Sequence, residues 1–225
     1  MLSETERFIY LFLLSINEGI TMVATVLVQE VTGGSNGSPT YQTVTNRVRL
    51  MTTDAFTNQT TAQTTNPVII PSGAGAGYDS GDFNFSYWKH VCLDLAGSGF
   101  IITNITHASD GTINVVGGWT FGTGGMLQRG NKDAGDHGCP TANYEVAVGV
   151  AGTTGNPIED SHPYYSSETV PVTDVNDDTV GVVIDSSSHS SAGKSKFICL
   201  QVKVCYDATQ GTLPAKTLTW TYDES

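Results

Sequence analysis

The chain has 225 residues and a formal net charge of −12, and charged residues make up 14% of it, against about 25% in an ordinary soluble domain. The acidic balance argues against a nucleic-acid partner, which needs a positive footprint, and equally against an anionic membrane surface. Aromatic residues at 9% and hydrophobic residues at 39% give the chain a core to bury, so disorder is disfavoured and one domain fits the length.

Residues 1–21 stand apart from the rest. Phe8–Ile16 (FIYLFLLSI) is a continuous apolar run, well short of the roughly 20 residues that span a bilayer. Glu4 and Glu6 offset Arg7, and no small-x-small cleavage pattern follows Ile16, so the fit to a secretory signal is poor. Three readings stand: a signal-like segment, an upstream extension before a natural start at Met22, or an apolar arm that packs on a neighbour.

From Met22 to Ser225 the chain reads as a single β domain. Val23–Val31 is the first strand and Thr32–Thr40 a polar loop. Tyr41–Met51 alternates, with Val44, Val48 and Leu50 on one side, the period-two pattern of a half-buried antiparallel strand. Residues 52–66 read as a loop, Pro67–Pro71 as a short strand and Pro71–Asp82 as another loop. In Asn84–Leu95, Tyr87, Val91, Leu93 and Leu95 share one face. Phe100–His107 follows, and Asp110-Gly111 is a good hairpin turn into Gly111–Phe121. Gly122–Thr141 reads as a long polar loop. Tyr144–Val150, Glu168–Val175 and Thr179–Asp185 are short strands, and Lys196–Tyr206 and Ala215–Tyr222 are strongly alternating ones. About ten strands with frequent turns predict an all-β fold, an antiparallel β-sandwich of jelly-roll or Ig-like type.

An even set of cysteines, Cys92, Cys139, Cys199 and Cys205, suggests two disulfides in a surface protein. If Lys196–Tyr206 is one strand, Cys199 and Cys205 lie roughly 20 Å apart at strand rise, too far to join. Each would then need Cys92 or Cys139. The alternative is four thiols in a reducing compartment. His90-x-Cys92 and His137-x-Cys139 lack the usual zinc spacings and read as isolated residues.

Asn131, Asp133, Asp136 and His137 crowd one loop. Asp174, Asn176 and Asp178 begin like a calcium loop, but Thr179 and Asp185 stand where Gly and Glu are required. Turn-forming residues are the leading reading, with calcium as the alternative ligand and no resident cofactor expected. Gly33-Gly34-Ser35-Asn36-Gly37 matches a nucleophile elbow in letters only, because it joins two strands rather than a strand and a helix. Gly122–Lys132 lacks the phosphate-loop order. Trp88 and Trp119 are candidate glycan-contact aromatics, set against the commoner fate of core packing. Sequons occur at Asn36, Asn58, Asn84 and Asn104. A composition this rich in Asn, Ser and Thr makes a few by chance, so glycosylation gains little support from them.

Val26–Glu30, Phe85–His90 (FSYWKH), Gly130–Thr141 (GNKDAGDHGCPT) and Thr217–Glu224 (TLTWTYDE) together resemble segments of uncharacterised β-rich structural or surface proteins of archaea and their viruses. That resemblance implies a β-rich surface role and carries no catalytic residues across. No catalytic constellation stands out, so the expectation is a non-enzymatic structural protein that forms homo-oligomers on a virion, filament or cell surface. The alternative is a carbohydrate- or calcium-dependent binding module.

Overall fold

A computed structural model describes residues 23–32, 40–45, 47–53, 66–71, 83–111, 126–130, 155–158, 172–174, 179–205, 208 and 217–225. Its elements are β1 (Thr25–Thr32), β2 (Thr40–Thr43), β3 (Phe83–Phe85), β4 (Lys89–Ser109), β5 (Met126–Gly130), β6 (Val172–Asp174), β7 (Val182–Asp185), β8 (His189–Lys194), β9 (Ile198–Cys205) and β10 (Leu218–Glu224). All pairings are antiparallel and join the strands into one 10-stranded sheet. The expectation of an antiparallel, all-β protein is met. All the described strands join one sheet, and β4 runs through it from end to end. No helix among the described residues is long and apolar enough to cross a membrane.

β4 is the spine, 21 residues long. Along one side it pairs in turn with β9 (Lys89–Val91), β8 (Asp94–Ile102) and β7 (Ile105–His107). Residues 182–205 therefore run antiparallel beside it for most of its length. Along the other side it pairs first with β1 (His90–Ala96) and then with β10 (Ile102–Ser109). β2 extends the sheet beyond β1, and β5 then β6 extend it beyond β9. β3 continues the line of β4 along β9, after an irregular step at residues 86–88. Ser86 bridges that step. Its N–H donates to Val202 O and its Oγ accepts from Val202 N, both at 2.9 Å.

The expected strands Asn84–Leu95 and Phe100–His107 are thus mostly one element. Between its halves the ladder with β8 shifts register twice, from Leu95 to Ser98 and from Ser98 to Ile102. Gly97 there has φ +115°, a conformation that side-chain-bearing residues rarely adopt. Across these shifts both halves of β4 contribute to one core. Leu93 and Leu95 from the first half cluster with Phe100, Ile102 and Ile105 from the second, and Val26, Val28, Trp220 and Tyr222 pack against them. A neighbouring cluster joins Val91, Ile184, Ile198 and Leu200. Each large apolar side chain so buried contributes about 1.5–3 kcal/mol.

Other departures have local causes. β5 lies inside the segment Gly122–Thr141 that reads as loop, and β8 carries no apolar alternation because four of its residues are exposed on both faces. β2 ends at Thr43, short of Met51, although Val48 and Leu50 still pack on the core. Pro67–Pro71 is not a strand, and Ile69 O is held by Asn84 Nδ2 at 2.7 Å. The strands expected over residues 112–121 and 144–150, and the segment 1–21, lie outside the described residues.

Gly97→Ala is expected to cost about 1–2 kcal/mol from backbone strain alone, since a Cβ there would meet only ordinary contacts with the Phe100 ring at 3.6 Å. Exposed Ser98→Ala should change stability by less than about 0.5 kcal/mol. Urea unfolding of both variants checks this, and equal effects would mean that the left-handed backbone at Gly97 stores no strain.

Candidate functional site

The polar groups that the fold gathers are inside it. Alternation puts Val26, Val28 and Glu30 of β1 on the same face as Lys89, Val91, Leu93 and Leu95 of β4. Glu30 and Lys89 therefore meet within an apolar layer. Their side chains are 0% and 2% exposed, and Lys89 Nζ lies 3.5 Å from Glu30 Oε2. Taking two charges out of water costs more than their attraction returns unless further groups help hold them. Such a pair fixes register better than it adds stability.

Arg129 of β5 is fully buried beside Leu200. It reaches across to the second half of β4, where its Nη1 donates to His107 O at 2.9 Å and lies 2.8 Å from His107 Nδ1. A guanidinium has no acceptor, so Nδ1 must accept. His107 is therefore neutral with its proton on Nε2. Its ring stands edge-on to Trp220, with centroids 4.9 Å apart.

Two further clusters sit nearer the surface. Asp185, 1% exposed, accepts from Ser187 N, His189 Nε2 and Lys196 N, each at 2.9 Å. Burial alone would raise its pKa. The backbone donors Lys196 and Ser187, with His189, outweigh that and hold the carboxyl below its ordinary value. Asp94 takes Lys194 Nζ on one oxygen and Gln29 Nε2 on the other. Lys194 Nζ also lies 5.0 Å from the centre of the Tyr41 ring. Gln201, fully buried, donates from Nε2 to Ser86 O at 3.0 Å and Asn156 O at 2.9 Å.

These groups hold strands to one another and do not converge on a reacting centre. Among the described residues no group of three or more His, Cys, Asp and Glu could hold a metal ion. Burial pushes the Cys92 thiol up to about 12, more than Lys194 draws it down. It stays protonated at neutral pH and is a poor nucleophile. Burial, helped by Lys89, pushes His90 down to about 3, so it is a neutral imidazole at neutral pH.

Of the residues singled out from sequence, Trp88 is 1% exposed. It belongs to the interior, which corrects its candidacy as a ligand-contact aromatic. Trp119, Asp133, Asp136, Asn176, Asp178 and Cys139 lie outside the described residues, as do the side chains of Asp174 and Cys205. Cys92 is a buried free thiol. Cys199 is opposite His90 and Cys205 opposite Phe83, at the two ends of the β9 ladder. The charged residues that sequence reasoning missed had a signal. Lys89 interrupts the apolar alternation of Tyr87, Val91 and Leu93, and Glu30 interrupts that of Val26 and Val28.

Removing either partner alone, by Glu30→Met or Lys89→Met, should destabilise by about 3–5 kcal/mol, while the double variant should recover most of the loss. A double-mutant cycle in urea measures this, and additive losses would break the coupling. His90 binds its proton only below about pH 3 when folded, but near pH 6.5 when unfolded. Its stabilising share is therefore present above pH 6.5 and lost as pH falls towards 3, at up to roughly 1.4 kcal/mol per pH unit. His90→Gln should flatten the stability–pH slope across that window.

No protein-family model, curated protein or solved structure matches this chain.

Proposed function

We propose that this chain is a non-enzymatic structural protein that self-assembles on a virion, filament or cell surface. The observation that carries the reading is a division of labour between inside and outside. The interior charges are spent on strand-to-strand links, while large apolar side chains remain outside. On the first residues leading into β1, Val23 is 69% exposed and Leu27 41%, and the alternating Thr25 between them is exposed too. In sequence six residues separate this strip from the apolar run Phe8–Ile16. These exposed apolar side chains, on the same face as Thr25, are the contact points this reading gives to a second copy.

The sandwich of jelly-roll or Ig-like type belongs to the same proposal. What supports it is the apolar cluster that Leu93 and Leu95 form with Phe100, Ile102 and Ile105 across the register shifts of β4. A domain with few charged residues has few of the charges that guard sheet edges, so capping by copies of itself is the economical solution.

Light scattering and electron microscopy of the purified full chain test the reading. Large regular particles or fibres are expected. Leu27→Lys with Val23→Lys should abolish them with little change in melting temperature, because both side chains are already exposed. A chain that stays monomeric, and melts at a higher temperature with calcium or a glycan, would replace the reading with that of a binding module.

A further inference from the structure

The sequons at Asn84 and Asn104, alike as letters, are separated by the fold. Asn84 is 2% exposed, and its Nδ2 is committed to Ile69 O at 2.7 Å. No transferase could reach it. Asn104 is exposed on β4 and points away from the shared core.

The local backbone explains that presentation. Thr221 pairs with Thr106 and Asp223 with Thr103, so Asn104 and Ile105 together face the single residue Tyr222. This is a β-bulge. Its first residue, Asn104, has φ +52°, the left-handed conformation that Asn tolerates better than most residues. The ladder to β7 shifts at the same place, between Ile105 and Thr106. The pleat is therefore interrupted on both sides of β4 where the sequon begins. Asn104 Nδ2 donates to Asp223 Oδ2 at 2.6 Å, and this contact is itself exposed. Thr106, the hydroxyl residue of the sequon, meets Thr221 through Oγ1 on the same exposed face.

We infer that, of the two sequons among the described residues, Asn104 is the one at which this fold accepts an N-linked glycan. The inference rests on the surface reading, because lipid-linked oligosaccharides are used on the non-cytoplasmic side of a membrane. In the transfer, Asn104 Nδ2 attacks the anomeric carbon of an oligosaccharide carried on a polyprenyl diphosphate. The nitrogen–carbon bond forms and the bond from that carbon to the diphosphate oxygen breaks. The lipid diphosphate leaves with the electron pair, and the Nδ2 proton passes to a base of the transferase. Asp223 holds the acceptor amide in place and must release it for the reaction.

The test is glycosylation of the folded, full-length chain by a purified oligosaccharyltransferase supplied with a lipid-linked oligosaccharide, followed by tryptic mass mapping. The peptide His90–Arg129 contains Asn104 as its one sequon, whereas Leu50–Lys89 contains Asn58 and Asn84. Modification of His90–Arg129 is expected, with Asn84 unmodified. Thr106→Ala should abolish it, Thr106→Ser should keep it, and Asp223→Asn should raise its initial rate. An unmodified Asn104 beside a control acceptor peptide that is modified in the same mixture would overturn the assignment, as would a glycan indifferent to Thr106→Ala. The two proposals fail separately. A chain that assembles but leaves Asn104 bare loses only the glycan site, and one that is glycosylated but never assembles loses only the surface-assembly reading.

Discussion

A strand that buries side chains along its whole length must find cover for all of them. In β4 the register shifts around Gly97, and Leu93 and Leu95 still share a core with Phe100, Ile102 and Ile105, closed over by Val26, Val28, Trp220 and Tyr222. The neighbours then follow from what β4 offers. β1 and β10 divide one side of it, and residues 182–205 follow it along the other. Gly181 closes the entry to β7 for a related reason: at φ +81°, a Cβ would stand 3.0 Å from His107 O.

The buried charges belong to the same constraint. A one-residue slip in a strand pair exchanges its inner and outer faces, and Thr- and Ser-rich strands resist such a slip weakly. Glu30 against Lys89 fixes β1 on β4. Arg129 against His107 fixes β5 to the second half of β4, which it does not neighbour in the sheet. Asp185, the last residue of β7, ties it to the entry of β9 through Lys196 N. Each link costs desolvation and gives back uniqueness of pairing, the best-attested use of buried polar groups. Groups committed in this way are already engaged with other strands, so the buried charges fit a structural reading.

Much of the fold was legible because apolar alternation reports burial on one side. β1, β9 and β10 follow it closely, as does the first half of β4. β8 was invisible because its residues His189–Lys194 have no buried face to advertise. β5 was hidden because its one described buried side chain is an arginine, set in a glycine-rich stretch that reads as a loop. The continuity of β4 was masked by Gly97 and Gly99, which in sequence resemble a turn between two strands. The buried pair was half legible, since Glu30 and Lys89 each break an apolar rhythm, but only the register shows that the two breaks meet. The bulge that sets Asn104 apart from Asn84 has no sequence signature at all.

Residues 182–205 lie beside β4 in space but far from it along the chain: Ser195 Oγ accepts from Leu93 N across a separation of 102 positions. Such a topology delays folding, since the entropy of closing a long loop must be met before the ladder returns anything. The same crossover carries β5 and β6 into the sheet, and Arg129 of β5 returns to His107 O of β4, so a change in the connecting chain is felt directly by the ribbon it joins.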